Sequence, residues 1–475
     1  MNEVRTRFAP SPTGFMHIGG VRTALYSYLI AKQNNGKFIL RIEDTDQTRY
    51  VEGATDVIYN TSKDLGINWD EGPDIGGPYG PYIQSERKAN YIEYAKKLVN
   101  EGKAYYCFCK EERLAEIKQM AELSKIPYRY DQHCRSISLE EAQNRIDSGE
   151  EYVIRFKMPH EGTTVFNDLV YGSIIVNNDE LEDLILIKSD GMPTYNFANV
   201  IDDYEMKITH IVRGNEYVSS TPKYVLIYQA LGFDVPEFIH LPIIKKSVES
   251  DKKLSKRDGD ATVDILKSKG YLNKAIINML ALTGWSSLNE EEIFSLEELI
   301  KVFNTSGIGK GNAIFDVDKL NWLNAHYIKE LDKEELYAFL YPYIEKEYNI
   351  SNKDREWLDE LFSLYQKQLS YGEEIIELAK LFFNDFVMEE ESKLFIEEND
   401  INTVISIFKN NISKINNWNI ENITKAINDT KEESGNKGKM LYMPIRIKTT
   451  GMMHGPELPN TIYLLGKDKV IERLQ

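Results

Sequence analysis

The sequence predicts an α/β protein: a doubly wound parallel sheet covered by helices, interrupted by an inserted α+β segment and followed by an all-helical C-terminal part. Three observations predict this architecture. Strand-like and helix-like patterns alternate up to about residue 110, a cysteine-bearing segment with short strands interrupts them, and strand patterns fade beyond about residue 260. Such alternation favours a parallel sheet with covering helices.

The first elements follow from hydrophobic periodicity. Val4 to Phe8 and Lys37 to Ile42 read as strands, and Val21 to Lys32 and Glu52 to Leu65 read as helices. The interrupting segment runs from residue 104 to 188 and reads as an insertion into this domain. Its short strands include 152–157 and 172–176.

Strand and helix patterns resume after the insertion. Ile208 to Val212 reads as a strand and Thr221 to Leu231 as a helix, so the second half of the sheet domain is expected there. Beyond it, amphipathic stretches such as Lys274 to Leu282, Ser295 to Phe303 and Lys333 to Tyr343 predict helices.

Bulk composition excludes several classes of protein. A chain of 475 residues predicts three or four domains. It has no apolar run of about 18 residues that could span a bilayer, and its N-terminus lacks the apolar core of a secretory signal, so we expect no membrane partner and a cytoplasmic location. Three cysteines make no disulfide framework. A net charge of -18 argues against nucleic-acid binding through overall charge, but it allows a local basic groove.

A glycine-rich loop, Arg7 to Gly20, lies between the first strand and the first helix. A strand, a tight turn and a helix start present backbone N–H groups and a positive dipole to phosphate. His17 at the helix start could donate to a phosphate oxygen, and Gly19 and Gly20 would let a flat base approach the backbone. By composition alone, an ordinary turn with a capping histidine fits equally well.

A basic loop follows far downstream, from Asp251 to Gly259. Its neighbourhood, 245–257, carries six basic residues against Glu249 and Asp251. During phosphoryl or nucleotidyl transfer, negative charge builds on the phosphoryl oxygens and the departing group, and mobile ammonium groups can stabilise that charge. Taken alone, such a loop is also typical of a solvated surface.

The two loops together carry a resemblance. Pro-Ser-Pro-Thr-Gly-x-x-His-Ile-Gly, from Pro10, resembles the first signature of the class I aminoacyl-tRNA synthetases in the form of the glutamate and glutamine enzymes. Lys-Leu-Ser-Lys-Arg, from Lys253, resembles their Lys-Met-Ser-Lys-Ser loop. The chain has Gly20 where the short signature carries a second histidine, which the glutamate branch commonly lacks. The C-terminal stretches 443–448 and 450–459 resemble the end of bacterial glutamyl-tRNA synthetases, so the likeness covers nearly the whole chain.

The resemblance implies an activity and a domain plan. The activity is ATP-dependent activation of L-glutamate, with Mg²⁺, and transfer of the glutamyl group to the 3′ end of tRNA(Glu) by a monomeric enzyme; whether tRNA(Gln) is also charged stays open. The expected domains are the two halves of a Rossmann-like catalytic domain at 1–103 and 189–259, an acceptor-stem-binding insertion at 104–188, a helical stem-contact domain at 260–330 and an all-helical anticodon-binding domain at 331–475.

A glutamate pocket needs cationic or hydrogen-bonding groups to bind each of the two carboxylates and an anionic group to bind the ammonium. Glu43, Arg7 and Arg213 follow predicted strands and can supply these groups. The resemblance implies that Ala9, Ser11 and Glu43 hold the α-amino end, that Arg213 holds the α-carboxylate, and that Arg7, Tyr195 and Asn199 hold the side-chain carboxylate. Taken singly, Glu43 also suits a surface charge and Tyr195 a core position.

The resemblance also implies the ATP-contacting and catalytic residues. His17, Lys253 and Lys256 are expected to be catalytic, with Lys256 as the principal transition-state residue. Tyr217 is a departure, since relatives often carry tryptophan or histidine there. The ATP-contacting residues are expected to be Pro10, Thr13, His17, Gly19, Glu216, Ile244, Lys253, Leu254, Ser255 and Lys256.

All three cysteines lie in the insertion, at Cys107, Cys109 and Cys134. Zinc prefers four tetrahedral ligands with thiolates abundant at structural sites, so the cluster predicts a structural zinc. Zinc-binding glutamyl-tRNA synthetases share the Cys-x-Cys and Tyr-x-x-x-Cys arrangement, which implies Tyr130 as the fourth ligand. His133, chemically the more usual donor, is the alternative.

Two features bear on the RNA partner and on rival functions. The stretch 437–448 holds four basic residues, no acidic one and Tyr442, which suits backbone contact and base stacking, or equally a solvated helix end. Rival functions differ from this reading in motif and in length. A glutaminyl-tRNA synthetase usually has Glu-Pro-Ser-Gly where this chain has Ala9 to Gly14. A shortened paralogue that glutamylates a modified tRNA base would lack the helical half. A non-catalytic RNA-binding descendant is the third rival, and adenylate formation with glutamate would exclude it.

Overall fold

A computed structural model describes residues 3–49, 51–126, 128–245 and 262–475. The chain divides into two compact units, one of residues 1–266 with 276–317 and the other of 267–275 with 318–475. In the described part, no helix combines the length and the apolar character that crossing a membrane requires.

The first part of the chain alternates strands and helices. Its elements are β1 (Arg5–Phe8), α1 (Ile18–Gln33), β2 (Lys37–Leu40), α2 (Ala54–Asp64), α3 (Lys88–Asn100), β3 (Ala104–Cys107), α4 (Glu111–Leu123), α5 (Leu139–Asp147), β4 (Val153–Phe156), β5 (Thr163–Asp168), β6 (Gly172–Asn177), β7 (Ile185–Ile187), α6 (Tyr195–Glu205), β8 (His210–Gly214), α7 (Thr221–Leu231), β9 (Glu237–Leu241) and β10 (Ile244–Lys245).

Helices dominate the remainder. The elements are α8 (Val263–Lys269), α9 (Asn273–Leu282), α10 (Leu296–Val302), β11 (Ala313–Ile314), α11 (Val317–Glu330), α12 (Lys333–Glu347), α13 (Arg355–Tyr365), α14 (Glu374–Phe383), α15 (Glu390–Glu398), α16 (Asn402–Ser413), α17 (Ile420–Ser434), α18 (Lys439–Thr450), α19 (Leu458–Leu465) and α20 (Lys467–Arg473). The predicted class, an α/β sheet part followed by helices, is confirmed.

The parallel strands β1 and β2 pair in register, and β8 and β9 pair in parallel within a sheet of order β6-β5-β9-β8. The amide of Thr209, just before β8, donates a hydrogen bond of 2.9 Å to the carbonyl of Arg5 in β1, and this bond links the β1–β2 pair to the sheet that contains β8. The chain therefore leaves β1 toward β2 on one side and reaches β8 on the other. Open α/β sheets bind ligands in the crevice beyond such a switch point.

The insertion divides between two sheets. β3, β4 and β7 form a separate sheet, whereas β5 pairs in parallel with β9 and so belongs to the same sheet as β8. The reason is burial: Phe166 of β5 packs against Phe238 of β9, with ring centroids 5.7 Å apart. The five-domain plan with an insertion at 104–188 stays a prediction, and part of this segment lies beside the predicted catalytic sheet.

Local signals explain where key elements begin and end. α1 starts three residues before its predicted start because the His17 side chain caps it, accepting a hydrogen bond from the Gly19 amide at 3.0 Å. α7 has a proline in its first turn and ends at Gly232 in the left-handed region. The second unit has its own apolar core, including Leu340, Leu361 and Phe408.

Candidate active site

Two adjoining clefts open beyond the carboxyl ends of β1 and β8, in the crevice that the switch point creates. Tyr195 and Tyr217 line both clefts, and their rings lie 5.7 Å apart. The first cleft has a volume of about 270 Å³ and brings together these predicted site residues: Arg7, Ala9, His17, Gly19, Tyr195, Arg213, Glu216 and Ile244.

The second cleft, of about 370 Å³, is lined by the predicted residues Ser11, Thr13 and Glu43, together with Ala9 and Tyr195. Of the predicted glutamate- and ATP-binding residues that the structure describes, Pro10 and Asn199 line neither cleft. Pro10 accepts a hydrogen bond from the Glu43 amide through its carbonyl. Asn199 is 1% exposed and donates to the carbonyl of Tyr195 at 2.6 Å, so it supports the wall behind that tyrosine.

The N-terminus of α1 faces the first cleft. Because Nδ1 of His17 accepts the amide proton of Gly19, the neutral imidazole carries its own proton on Nε2. A side chain built on Gly20 would meet no atom of the described residues within 4 Å. The positive dipole of a helix start is suited to an anionic ligand such as phosphate.

The basic loop lies outside the described residues, and with it Lys253, Leu254, Ser255 and Lys256. The described residues on either side of it lie at the first cleft. Ile244 lines this cleft, and Thr262 forms an antiparallel bridge with His17. The described residues that flank the basic segment therefore lie beside the helix start.

A buried charge network lies beneath both clefts. Asp203 accepts from Arg7 (Nε to Oδ1, 3.0 Å) and from Arg41 (Nη1 to Oδ1, 2.7 Å), and Arg41 also donates to Oε1 of Glu43 at 2.8 Å. Although burial opposes ionisation, the charges of Arg7 and Arg41 hold the pKa of Asp203 below its usual value. At Glu43 burial outweighs both arginines and raises the pKa. The network fixes Arg7 and Glu43 where they border the clefts.

Arg213 stands at the carboxyl end of β8 and is 5% exposed. Its Nε and Nη2 atoms have hydrogen-bond partners, His240 and Thr221, and its guanidinium carbon lies 4.7 Å from the ring centre of Tyr224. Its third nitrogen, Nη1, is buried and has no partner among the described residues. Such an atom is ready to pair with a carboxylate.

Several charged or titratable residues of this region escaped the sequence prediction. Asp203 and Arg41 belong to the network beneath the clefts, and His240 supports Arg213. Arg22 also lines the first cleft and donates to the carbonyls of Pro242 and Thr283, while burial lowers its pKa. One signal was present: these charges sit within apolar strand and helix patterns, where an unpaired charge would be costly.

The three cysteines meet in space, with sulfur atoms all within 4.8 Å of one another. The Tyr130 hydroxyl joins them, 3.2 Å from Sγ of Cys107 and 3.4 Å from Sγ of Cys109. Hydrogen bonding from Cys134, and to a smaller extent from Tyr130, outweighs burial and lowers the pKa of Cys107. His133 is exposed and is not among these clustered donors.

The basic C-terminal stretch divides in the structure. Lys437, Lys439 and Tyr442 are exposed, and Tyr442 retains 45% of its accessible surface. Arg446 is partly buried and donates to the carbonyl of Pro456 at 2.8 Å. The exposed members at the start of α18 therefore suit contact with a ligand, whereas Arg446 supports the fold.

Comparisons with known proteins agree along the whole chain. Residues 3–322 match the family described as "tRNA synthetases class I (E and Q), catalytic domain", and residues 335–475 match "Anticodon binding domain". The chain is 48% identical to a glutamate–tRNA ligase of Clostridium botulinum, with 100% of this chain and 98% of the relative covered. It is 46% identical to that of Finegoldia magna, with 100% and 99% covered.

Solved structures give the same result. A glutamate tRNA ligase of Elizabethkingia meningosepticum, in complex with its amino acid, has a TM-score of 0.90 at 36% identity, with 100% of this chain and 98% of that chain covered. A glutamate-tRNA synthetase of Elizabethkingia anophelis has a TM-score of 0.92 at 36% identity, with 100% and 99% covered. The chain therefore belongs to the class I tRNA synthetases of the glutamate and glutamine family.

Proposed function

We propose that this protein is a glutamate–tRNA ligase, which activates L-glutamate with ATP as glutamyl-adenylate and transfers it to the 3′ end of tRNA(Glu). The observation that carries the proposal is the buried Nη1 of Arg213, which lies beside the first turn of α1 and has no hydrogen-bond partner in the described part of the chain. A carboxylate that pairs with this nitrogen lies in the same cleft as a phosphate bound at the helix start. These are the two reacting partners of adenylate formation.

Each charged group of glutamate has a binding side chain in the clefts. Arg213 pairs with the α-carboxylate, and the carboxylate of Glu43, bordering the second cleft, accepts the ammonium with Ala9 and Ser11. Arg7 and Tyr195 meet the side-chain carboxylate, and Asn199 holds the wall behind Tyr195.

ATP, with Mg²⁺, is the second substrate. The first turn of α1, with His17, Gly19 and Thr13 nearby, binds the phosphates, and Glu216 and Ile244 border the nucleoside. The α-carboxylate of glutamate attacks the α-phosphorus in line, the bond to pyrophosphate breaks, and the pyrophosphate leaves. Lys253 and Lys256, with Leu254 and Ser255, act on the developing charge. No protein nucleophile is needed, because catalysis rests on positioning and charge neutralisation.

The two C-terminal findings support a tRNA partner. The match to an anticodon-binding domain over residues 335–475 agrees with the exposed Lys437, Lys439 and Tyr442 at the start of α18. Lysines suit phosphate contacts and an exposed tyrosine suits base stacking. We propose that the second unit binds the anticodon arm of the tRNA.

The proposal is tested by aminoacylation of purified tRNA(Glu) and tRNA(Gln) with glutamate and with glutamine. We expect glutamylation of tRNA(Glu), and no glutaminylation of either tRNA. Measuring ATP–pyrophosphate exchange with and without each tRNA shows in addition whether activation needs bound tRNA. Charging with glutamine in place of glutamate would make the protein a glutaminyl-tRNA synthetase.

Replacing Lys256 with alanine is expected to slow adenylate formation by about two to three orders of magnitude, because a charge that meets the transition state is lost. The melting temperature should barely change, because one lysine of a basic segment contributes little to folding. Single-turnover adenylate formation with tRNA present measures the effect. Lys97→Ala, an exposed lysine of α3, is the control. A Lys256→Ala enzyme with normal activation would refute the role.

The cysteine cluster fits zinc. A tetrahedral site with Zn–S bonds of about 2.3 Å separates its sulfurs by roughly 3.8 Å, and Sγ of Cys109 lies 3.6 Å from Sγ of Cys134. We propose that Cys107, Cys109, Cys134 and Tyr130 hold a structural Zn²⁺. Arg155, whose guanidinium lies 3.9 Å from the Tyr130 ring centre, offsets part of the thiolate charge.

Zinc analysis of purified variants tests this ligand set. Wild-type protein should hold one zinc per chain, and Cys134→Ser should lose it, since two thiolates and a phenol bind weakly. Tyr130→Phe should bind zinc more weakly in competition with a chelator, and His133→Ala should bind like wild type. A release of zinc by His133→Ala, with Tyr130→Phe unaffected, would assign the fourth ligand to the histidine.

A further inference from the structure

A buried chain of side chains runs from the inserted segment to the first cleft. Asp168 ends β5, His240 lies in β9 and Arg213 lies in β8, and each is at most 5% exposed. His240 and Arg213 are directly opposite each other in the parallel register. Neighbouring strands therefore place the carboxylate, the imidazole and the guanidinium in one row on one face of the sheet.

The hydrogen bonds define the proton positions in this row. Asp168 Oδ1 accepts from the amides of Val170 and Tyr171 at 2.9 and 2.8 Å, and Oδ2 lies 2.6 Å from His240 Nδ1. Three donors keep the carboxylate ionised, and the amide of His240 is a fourth at 3.1 Å. A neutral imidazole then carries its proton on Nδ1 and presents the lone pair of Nε2.

That lone pair faces Arg213. The Nε–H of Arg213 donates to His240 Nε2 at 3.1 Å, and Nη2 donates to Thr221 Oγ1 at 2.8 Å. The Thr221 hydroxyl in turn donates to the Tyr217 carbonyl at 2.8 Å, so its proton is directed away from the guanidinium. Two of the three guanidinium nitrogens are thereby held, and the third, Nη1, has no partner within the residues that the structure describes.

The type of partner matters as much as its position. A carboxylate beside Arg213 would neutralise the guanidinium and compete with a substrate carboxylate for it. A neutral imidazole acceptor fixes the planar guanidinium and leaves its charge for the ligand. The negative charge of Asp168 lies one residue further away, where it sets the imidazole tautomer, as a carboxylate does for the histidine of a hydrolytic triad.

We infer that Asp168 and His240 are positioning residues that orient Arg213 toward the α-carboxylate of glutamate. This inference rests on the proposed function. Neither residue touches the substrate: His240 acts through Arg213, and Asp168 acts through His240. Misplacement of a substrate-positioning group by about 1 Å can cost on the order of 100-fold in rate, so a loose guanidinium should impair the use of glutamate and spare the use of ATP.

Two substitutions of His240 separate orientation from packing. Glutamine can place its amide oxygen where Nε2 lies and so keeps the acceptor for Arg213, whereas asparagine reaches only the position of Nδ1. In pyrophosphate exchange with tRNA present, we expect His240→Asn to raise the KM for glutamate by about 10- to 100-fold with the KM for ATP unchanged. His240→Gln should restore the KM for glutamate to within a few-fold of wild type. Circular dichroism checks that both variants fold.

Asp168→Asn repeats the test if His240→Asn does not fold. An amide NH₂ opposite Nδ1 drives the ring proton to Nε2, so a donor replaces the acceptor that Arg213 needs, and the KM for glutamate should again rise. A folded His240→Asn enzyme with an unchanged KM for glutamate overturns the inference. Equal rises in both KM values, or equal defects in the asparagine and glutamine variants, also overturn it by showing a packing role. A wild-type protein unable to activate glutamate rejects the proposed function itself.

Discussion

Arg213→Ala is expected to lower kcat/KM for glutamate by about 1,000-fold in ATP–pyrophosphate exchange with tRNA present. The variant loses a charge-assisted hydrogen bond in a dry site and removes the guanidinium donors to His240 and Thr221. Removing one partner of a buried, hydrogen-bonded charge pair costs about 2–5 kcal/mol, and each 1.36 kcal/mol is tenfold in rate. The KM for ATP should stay close to the wild-type value.

A second variant separates charge from shape. Arg213→Lys keeps the charge, but an ammonium lacks the planar guanidinium that contacts His240, Thr221 and the ligand together. We therefore expect kcat/KM for glutamate to lie between the values of wild type and Arg213→Ala. Lys97→Ala, at an exposed position of α3 that lines neither cleft, serves as the control. Activity of Arg213→Ala within threefold of wild type would contradict the assignment of Arg213 to glutamate.

Asp203→Asn is expected to lower the free energy of unfolding of the first unit by about 3–5 kcal/mol, which is the cost of breaking a buried ion pair. The carboxylate pairs with both Arg7 and Arg41, and none of the three is more than 4% exposed. An amide removes the carboxylate that Arg7 and Arg41 share, so Arg7 loses its paired countercharge while Arg41 keeps Glu43. Urea unfolding, followed by the loss of helical circular dichroism, measures the difference.

The pH dependence gives a second check on Asp203. Its folded pKa is lowered, so its stabilising contribution is present above the unfolded value of about 3.9 and is lost as the pH falls through the folded pKa. The gap between wild type and Asp203→Asn should therefore shrink in acid below about pH 4. Glu101→Gln, at an exposed pair with Lys103, should leave the unfolding midpoint unchanged. An Asp203→Asn protein as stable as wild type would mean that the arginines find other partners.

Part of the site could be predicted because its signals are local. Residues that are close in sequence determine the turn after β1 and the start of α1. His17 and Gly19 were therefore expected at a helix start, and they are found there. The cysteines are close in sequence, and they meet in space. Tyr130 and His133 could not be separated by spacing, because the fold of the segment between Cys109 and Cys134 decides which side chain turns inward.

By itself, the sequence determined the α/β order, the helical C-terminal half, the two signature loops and the identity of the family, since periodicity, glycine and proline positions and motif residues act over a few neighbouring residues. Only the tertiary structure decided how the charges pair. Arg7 meets Asp203 across 196 positions and Asp168 meets His240 across 72. The fold brings these residues together, and burial in a medium of low polarity makes unpaired charges costly. The sequence around a charged residue does not identify a partner that is distant along the chain.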